Sequence, residues 1–236
     1  MRKVVITGGN KGIGLALTEK FVTQGDFVTI IARDFSNRES FDYQNHPQVR
    51  CIAFDLTQIE QLPVLAGQID DIDVLVNNAG LLQPITYDDY PADQRDYALN
   101  LNIIAPVQLT TLLEKKLKAP SDYKARVVNN ASIAGQIGHP DIWYGIAKAG
   151  LINATKAFSK AFQGDIIVNA VAPSPVETDM LDSIPEHRQK AFLQNTISGR
   201  FATAQEVADT MFWLATESPE YINGVCIDIN NGSLPR

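Results

Sequence analysis

The stretch Lys3-Val4-Val5-Ile6-Thr7-Gly8-Gly9-Asn10-Lys11-Gly12-Ile13-Gly14 decides the fold. A short apolar, β-branched run stops at a cluster of glycines and gives way to a segment of helical period, which reads as a strand, a tight turn and a helix. Gly8, Gly12 and Gly14 let the backbone turn sharply and approach a ligand closely. A helix opening there presents free N–H groups and a partial positive charge, so the turn is suited to a pyrophosphate. The spacing Gly-x-x-x-Gly-x-Gly differs from the Gly-x-Gly-x-x-Gly of other dinucleotide turns, and by itself it also suits an ordinary glycine-rich turn.

Working outward, short apolar runs at 3–7, 27–32, 49–54, 74–77, 126–129, 166–171 and 224–229 alternate with helical segments at 13–24, 92–118 (with a break inside it), 142–162 and 204–215. The last helix is announced by Thr203 as cap, with Glu206 three residues on. The alternation predicts an α/β fold, a Rossmann-like doubly wound and mostly parallel seven-stranded sheet with helices on both faces and right-handed crossovers. We expect one domain over 1–236, with ligands bound at the carboxyl ends of the strands where their order reverses. Residues 179–200 carry no firm period and are expected to form a mobile flap over the substrate.

The chemistry lies further along. Tyr144 and Lys148 are four residues apart in Tyr144-Gly145-Ile146-Ala147-Lys148, with Ser132 upstream. On a helix such a pair projects from one face, so an ammonium and a phenol can address the same reacting oxygen. A unit charge about 4 Å from a phenolate, at an effective dielectric near 20, stabilises it by roughly 4 kcal/mol, which would lower the phenol pKa by up to about three units. The expectation is therefore a phenol brought toward neutral pH, with Ser132 holding the substrate oxygen as its charge changes.

The choice of dinucleotide is read at the end of the second strand, where a carboxylate would bind the adenosine 2′-hydroxyl of NAD and repel the extra phosphate of NADP. That position is Ala32, followed by Arg33, and Lys11 adds a second cation. Two cations and no carboxylate fit a 2′-phosphate, so NADP(H) is expected ahead of NAD(H). Asp34 complicates this, being a carboxylate one residue late.

Composition bounds the rest. With 236 residues, 45% of them hydrophobic, the chain can bury a sizeable core. A formal net charge of −7 argues against nucleic acid or anionic membrane as partner, since the basic stretches at 115–118 and 33–38 are short. Two cysteines, Cys51 and Cys226, lie in apolar runs and are expected to stay reduced. No signal peptide or membrane-length apolar run is found, so the expected setting is cytoplasmic. Three scattered histidines offer no metal-binding spacing, and no Gly-x-Ser-x-Gly elbow suggests a hydrolase.

Taken in order, these motifs resemble the short-chain dehydrogenase/reductase family, in its compact single-domain branch, over essentially the whole chain. The resemblance implies a homodimer or homotetramer acting on a small-molecule carbonyl or alcohol. It makes Gly8, Asn10, Lys11, Gly12, Ile13 and Gly14 the cofactor turn, with Arg33 beside it. Asp55, after the third strand, is similar to the Asp that contacts adenine. Asn78, Ala79 and Gly80, in Asn77-Asn78-Ala79-Gly80, resemble the segment after the fourth strand. Asn102, four before Pro106, takes the place of the tetrad Asn that helps hold a water in a proton relay; Asn100 is its competitor.

The same resemblance makes Ser132 the substrate-orienting hydroxyl, Tyr144 the general acid/base, and Lys148 its partner and a ligand of the nicotinamide ribose. Pro173, Val176 and Thr178 would pack on the nicotinamide. Family members that reduce enoyl double bonds commonly space the Tyr and Lys more widely, which favours carbonyl chemistry. Ser174 stands where the family usually has Gly, and Asn230-Asn231-Gly232 replaces Asp-Gly-Gly. Substrate loops are expected at 81–90, 136–143 and 179–200; His139 and Trp143 are either pocket lining or ordinary loop packing. A non-catalytic dinucleotide sensor or scaffold, or an NAD-preferring dehydrogenase, remains the alternative.

Overall fold

The computed structural model describes residues 1–36, 42–83, 85, 87–119 and 121–234; Arg38, the end of one basic stretch, and Pro84 and Thr86, in one expected substrate loop, lie outside them. Seven strands, β1 (Lys3–Thr7), β2 (Phe27–Ala32), β3 (Val49–Ala53), β4 (Val74–Asn77), β5 (Ala125–Asn130), β6 (Ile166–Pro173) and a last strand (Cys226–Ile229), form one sheet. All its pairings are parallel, and the spatial order is β3-β2-β1-β4-β5-β6 and then the last strand. The order reverses between β1 and β4, so the chain diverges at Thr7 and Asn77 and leaves a crevice at the carboxyl edge.

The pleat sorts the apolar side chains to the two faces. Val4 and Ile6 pack with α1 (Gly12–Thr23) and a late helix, Ala204–Thr216, through Leu17, Phe21, Met211 and Leu214. Val5 faces the opposite way, toward α2 (Leu62–Gly67) and a long helix ending at Leu117, through Leu62, Leu65, Leu109 and Leu113. Both faces are buried, which is why the strands read as continuous apolar runs instead of alternating ones.

The expected break within 92–118 is a change of helical pitch. α3 (Ala92–Leu99) runs through a π-helical turn, Asn100–Ile104, into α4 (Ala105–Leu117) without interruption. Pro106 has no N–H to donate and its ring would collide with the carbonyl four residues back, so the turn widens and Ala105 donates to Asn100, five residues away. α5 (Ile142–Ala161) follows β5.

Residues 179–200, which carry no firm period in the sequence, hold regular structure. After a two-residue strand β7 (Val176–Glu177), which pairs with β8 (Ala202–Thr203), they form a 3₁₀ turn, Asp179–Ser183, and helix α6 (Glu186–Asn195). No α6 residue is fully buried. That explains the weak pattern, since a helix lying on the surface needs no apolar stripe. The helix over Ala204–Thr216 is α7, and the last strand is β9. Neither cysteine is in a disulfide, as expected, and among the described residues no helix is long and apolar enough to cross a membrane.

At the start of α7 the Thr203 side chain accepts from the Glu206 backbone while Glu206 reaches back to the Thr203 N–H at 2.8 Å. Removing the hydroxyl in Thr203→Ala should therefore lower stability by about 1 kcal/mol, seen as a fall in Tm of about 2–4 °C. An unchanged Tm would mean the reciprocal cap contributes nothing.

Candidate active site

The glycine turn is built for close approach. Gly8 and Gly12 have φ of +66° and +53°, and a Cβ on Gly14 would sit 2.0 Å from the Gly8 carbonyl oxygen. Only glycine satisfies all three positions. No side chain caps α1, whose N-cap is Lys11, and its first turn carries no acidic residue. Its leading N–H groups are thus left for an anion.

Around this turn, Thr7 fastens β1 to β4. Its hydroxyl accepts from the N–H groups of Asn78 and Ala79 at 2.9 and 3.0 Å and donates to the Val76 carbonyl. The Asn78 side chain donates to the carbonyls of Thr7 and Gly8. Asn78 and Ala79 therefore shape the turn through their own hydrogen bonds.

From Asn78 a chain of amides leads to the catalytic candidates. Asn130, at the end of β5, donates to the Asn78 side-chain oxygen at 2.9 Å, and Lys148 Nζ donates to the Asn130 carbonyl at 2.8 Å. Lys148 lies on α5, with Tyr144 one turn earlier and Asp141 as N-cap, whose carboxylate accepts from the Tyr144 N–H at 3.0 Å. This cap sets where the phenol starts. Lys148 Nζ is 5.7 Å from the Tyr144 ring centroid.

Ser132 Oγ accepts from the Ala134 N–H, leaving its proton free to donate, and it acts on the Tyr144 phenol so as to favour the phenolate. Asn102 is fully buried in the π-turn, with both ends of its amide on the Leu81 backbone, at 2.9 and 3.1 Å. A Cβ on Gly80 would lie 2.9 Å from Asn102 Oδ1 and 3.4 Å from Lys148 Nζ, so Gly80 permits these two to approach. Asn100 instead turns its side chain to the Thr57 carbonyl. The structure thus brings Asn102, Ser132, Tyr144 and Lys148 together at one edge of the sheet.

The electrostatics correct the first expectation. Tyr144 and Lys148 are only 8% and 4% exposed. Burial pushes the phenol up to about 12, opposed by Ser132 and reinforced by Asp141, and pulls the Lys148 amine down to about 8. Desolvation acts on both groups against their charged forms, and the ammonium donates to the Asn130 carbonyl. At neutral pH the phenol is therefore protonated and can donate.

Of the remaining cofactor candidates, Thr178 is the one seen against the turn. Thr178 lies against Gly12, its Cγ2 3.2 Å from where a Cβ would be. Val176 is buried in the core, and Pro173 ends β6 in register with Ile229. Ser174 is absent from the positive-φ residues, so it replaces glycine there without strain; the Asn231 substitution does adopt positive φ, which Asn tolerates. Ile13 lies in the first turn of α1, and Asn10 donates to the Asp34 carbonyl. Asp55 accepts from Thr57 in a local turn.

The two cations differ from expectation in that neither is free. Lys11 pairs with Asp179 at 3.2 Å, with both groups well exposed, and Arg33 donates to the Tyr97 hydroxyl at 2.5 Å. An exposed pair of this kind is worth little. The carboxylate of Asp34 is taken by the Ser36 N–H and hydroxyl.

Several site features were not legible in the sequence. Asn130, the Asp141 cap and the π-turn escaped notice, although Asp141 before an apolar helical run is a standard start signal. Of the two aromatic candidates, His139 stands with its ring 5.4 Å from that of Tyr144, while Trp143 packs under Arg95.

The depressed Lys148 value has a measurable consequence. A lysine held near 8 in the fold and 10.5 when unfolded destabilises the cofactor-free protein below pH 8, and that cost fades as pH rises toward 10.5. Compared with Lys148→Met, the wild-type protein should gain up to about 3 kcal/mol of relative stability between pH 7.5 and 10.5 in denaturant unfolding. A pH-independent difference would mean the amine titrates as it does in water.

Residues 8–233 match the family model described as "Enoyl-(Acyl carrier protein) reductase". The chain is 32% identical to the 3-oxoacyl-[acyl-carrier-protein] reductase FabG of Thermotoga maritima, over 97% of this chain and 96% of that protein. It is 30% identical, with the same coverage, to dehydrogenase/reductase SDR family member 6 of Rattus norvegicus. Its fold matches that of a 4-hydroxyisoleucine dehydrogenase complexed with NADH at a TM-score of 0.90, with 22% identity, over 99% of this chain and 98% of the other. The chain belongs to the short-chain dehydrogenase/reductase family, whose members are oxidoreductases.

Proposed function

We propose that the chain is an NADP(H)-dependent carbonyl reductase, running in reverse as an alcohol dehydrogenase, with Tyr144 as general acid/base. The observation that carries this is the convergence of Asn102, Ser132, Tyr144 and Lys148 beside a glycine turn with an uncapped helix start. A sensor or scaffold needs the turn but not the acid/base group.

When bound, the dinucleotide supplies or accepts the hydride. The protein does the rest. The α1 N–H groups and Gly8, Gly12 and Gly14 would hold the pyrophosphate, and Asp55 the adenine. Asn78, Ala79 and Gly80 would form the wall beside it, with Pro173, Val176 and Thr178 on the nicotinamide side. Ser132, its proton free, orients the substrate oxygen. Tyr144, protonated at neutral pH, gives that oxygen its proton. Lys148, about half charged near pH 8, would hold the ribose and pass a proton toward the phenol, with Asn102 positioned to support a relay water.

The preference for NADP(H) rests on Arg33 and Lys11, whose present partners are a phenol and an exposed carboxylate, and on the engagement of Asp34 by Ser36. Carbonyl over enoyl reduction rests on the four-residue spacing of Tyr144 and Lys148. Residues 179–200, with helix α6, are the proposed lid. A cytoplasmic homodimer or homotetramer is the assembly we expect.

Three measurements test the reading. Tyr144→Phe should retain NADPH binding yet lose turnover by about 10²–10⁴-fold; unaltered turnover would remove the phenol from the mechanism. Arg33→Ala should weaken NADPH about 10- to 100-fold while leaving NADH nearly untouched, read by nicotinamide fluorescence titration, and equal loss of both would overturn the 2′-phosphate assignment. Alcohol oxidation needs the phenolate, so its kcat/KM should climb with pH from 7 to 10 whereas carbonyl reduction should not. An oxidation optimum at acidic pH would contradict the protonation state assigned to Tyr144.

A further inference from the structure

Beyond His139 from the Tyr144 phenol stands a cation with no acidic partner among the described residues. Of the seven described arginines, Arg2, Arg50, Arg95 and Arg200 each have a carboxylate within 4 Å. Arg126 is buried and donates to Leu214 and Ser218, and Arg33 reaches Tyr97. Arg188, half-buried on α6, has no acidic partner among the described residues, in a chain with net charge −7. Its one polar contact is to His139 Nε2, at 3.3 Å.

That contact fixes the tautomer. The other ring nitrogen, Nδ1, faces the Asp141 backbone oxygen at 3.1 Å, and a carbonyl can only accept, so Nδ1 carries the proton. Arg188 can only donate, so Nε2 must be the bare acceptor. Both contacts are satisfied at once only by a neutral imidazole. Burial and the Arg188 charge both lower the His139 pKa, while the Asp141 carbonyl and carboxylate raise it. The Asp141 carboxylate caps α5 through one oxygen and also acts on the Tyr90 phenol; no ion pair joins it to Arg188.

One imidazole therefore stands between the guanidinium and the catalytic phenol, its ring 5.4 Å from that of Tyr144. Among the described residues the remaining guanidinium N–H groups have no protein acceptor, and two of them make a fork that matches a carboxylate. We propose that Arg188, oriented by His139, is the specificity residue of this site and selects substrates that bear a carboxylate a short distance from the reacting carbonyl, namely short oxo acids and the corresponding hydroxy acids. The proposal rests on the carbonyl-reductase reading above and adds the substrate class. It also gives α6 a reason to lie where it does, since a lid bearing the cation would close on the anionic end of the substrate.

The test compares 2-oxo, 3-oxo and 4-oxo straight-chain acids with their methyl esters, using NADPH, in the wild-type protein and in Arg188→Gln. Alongside it, butanoate and methyl butanoate are titrated into the NADPH-loaded protein by calorimetry, which needs no turnover. We expect at least one acid to be favoured over its ester in kcat/KM, that ratio to fall about 10- to 100-fold in Arg188→Gln, and butanoate to bind the wild type but not the variant. His139→Asn should raise KM for that acid more than it lowers kcat, since it loosens the clamp without touching the phenol. Equal handling of acids and esters by the wild type, or butanoate binding unaffected by Arg188→Gln, would overturn the proposal. The reading beneath it fails differently: no ketone of either series is reduced, while Arg188-dependent butanoate binding persists.

Discussion

The site depends on one buried run of amide hydrogen bonds. It starts at the carbonyls of Thr7 and Gly8, passes through the side chains of Asn78 and Asn130, and ends at the ammonium of Lys148. Three strands and one helix are tied by it, and they come from residues as far apart as 7 and 148. A shift at either end would leave a buried amide or ammonium without a partner, which costs about 1–3 kcal/mol or more for a charged group. The glycine turn and the Tyr144–Lys148 pair are thus held in one frame, as the proposed transfer of hydride and proton on a single substrate requires.

The same burial sets the electrical character of the site. Simple Coulomb attraction between an ammonium and a phenolate would push the phenol toward ionisation, yet enclosure in protein pushes both groups toward their neutral forms. Two residues in one patch therefore store a neutral acid and an easily discharged amine. In the proposed reaction this arrangement suits giving a proton to a carbonyl oxygen more than taking one from an alcohol. His139 follows the same rule, kept neutral by enclosure and by the cation it holds.

Much of the fold was legible because its causes are local. β1, β2 and β4 end where the sequence says they end, since glycine or a polar turn residue interrupts a β-branched run that is buried on both faces. Thr203 and Glu206 announced α7 through a cap that involves only four residues. α6 escaped because its exposed face leaves no apolar period, and α2 because six residues are too few to show one. The π-turn at Asn100–Ile104 could be suspected from Pro106 but not assigned, since a proline in a helical pattern can equally end the helix.

Sequence alone determined the chemical inventory: a glycine turn ahead of a helix, a phenol and an amine one turn apart, a serine and an asparagine in order before them. Those are matters of spacing along the chain, where glycine conformation and helical geometry act over a few residues. Only the tertiary structure decided that Asn102 and not Asn100 approaches Lys148, that Lys148 faces the Asn130 carbonyl, that Lys11 pairs with Asp179, and that Arg188 stands next to His139. Each of these joins residues distant in sequence through desolvation and through hydrogen bonds whose partners only folding brings together, and neither enters a local pattern.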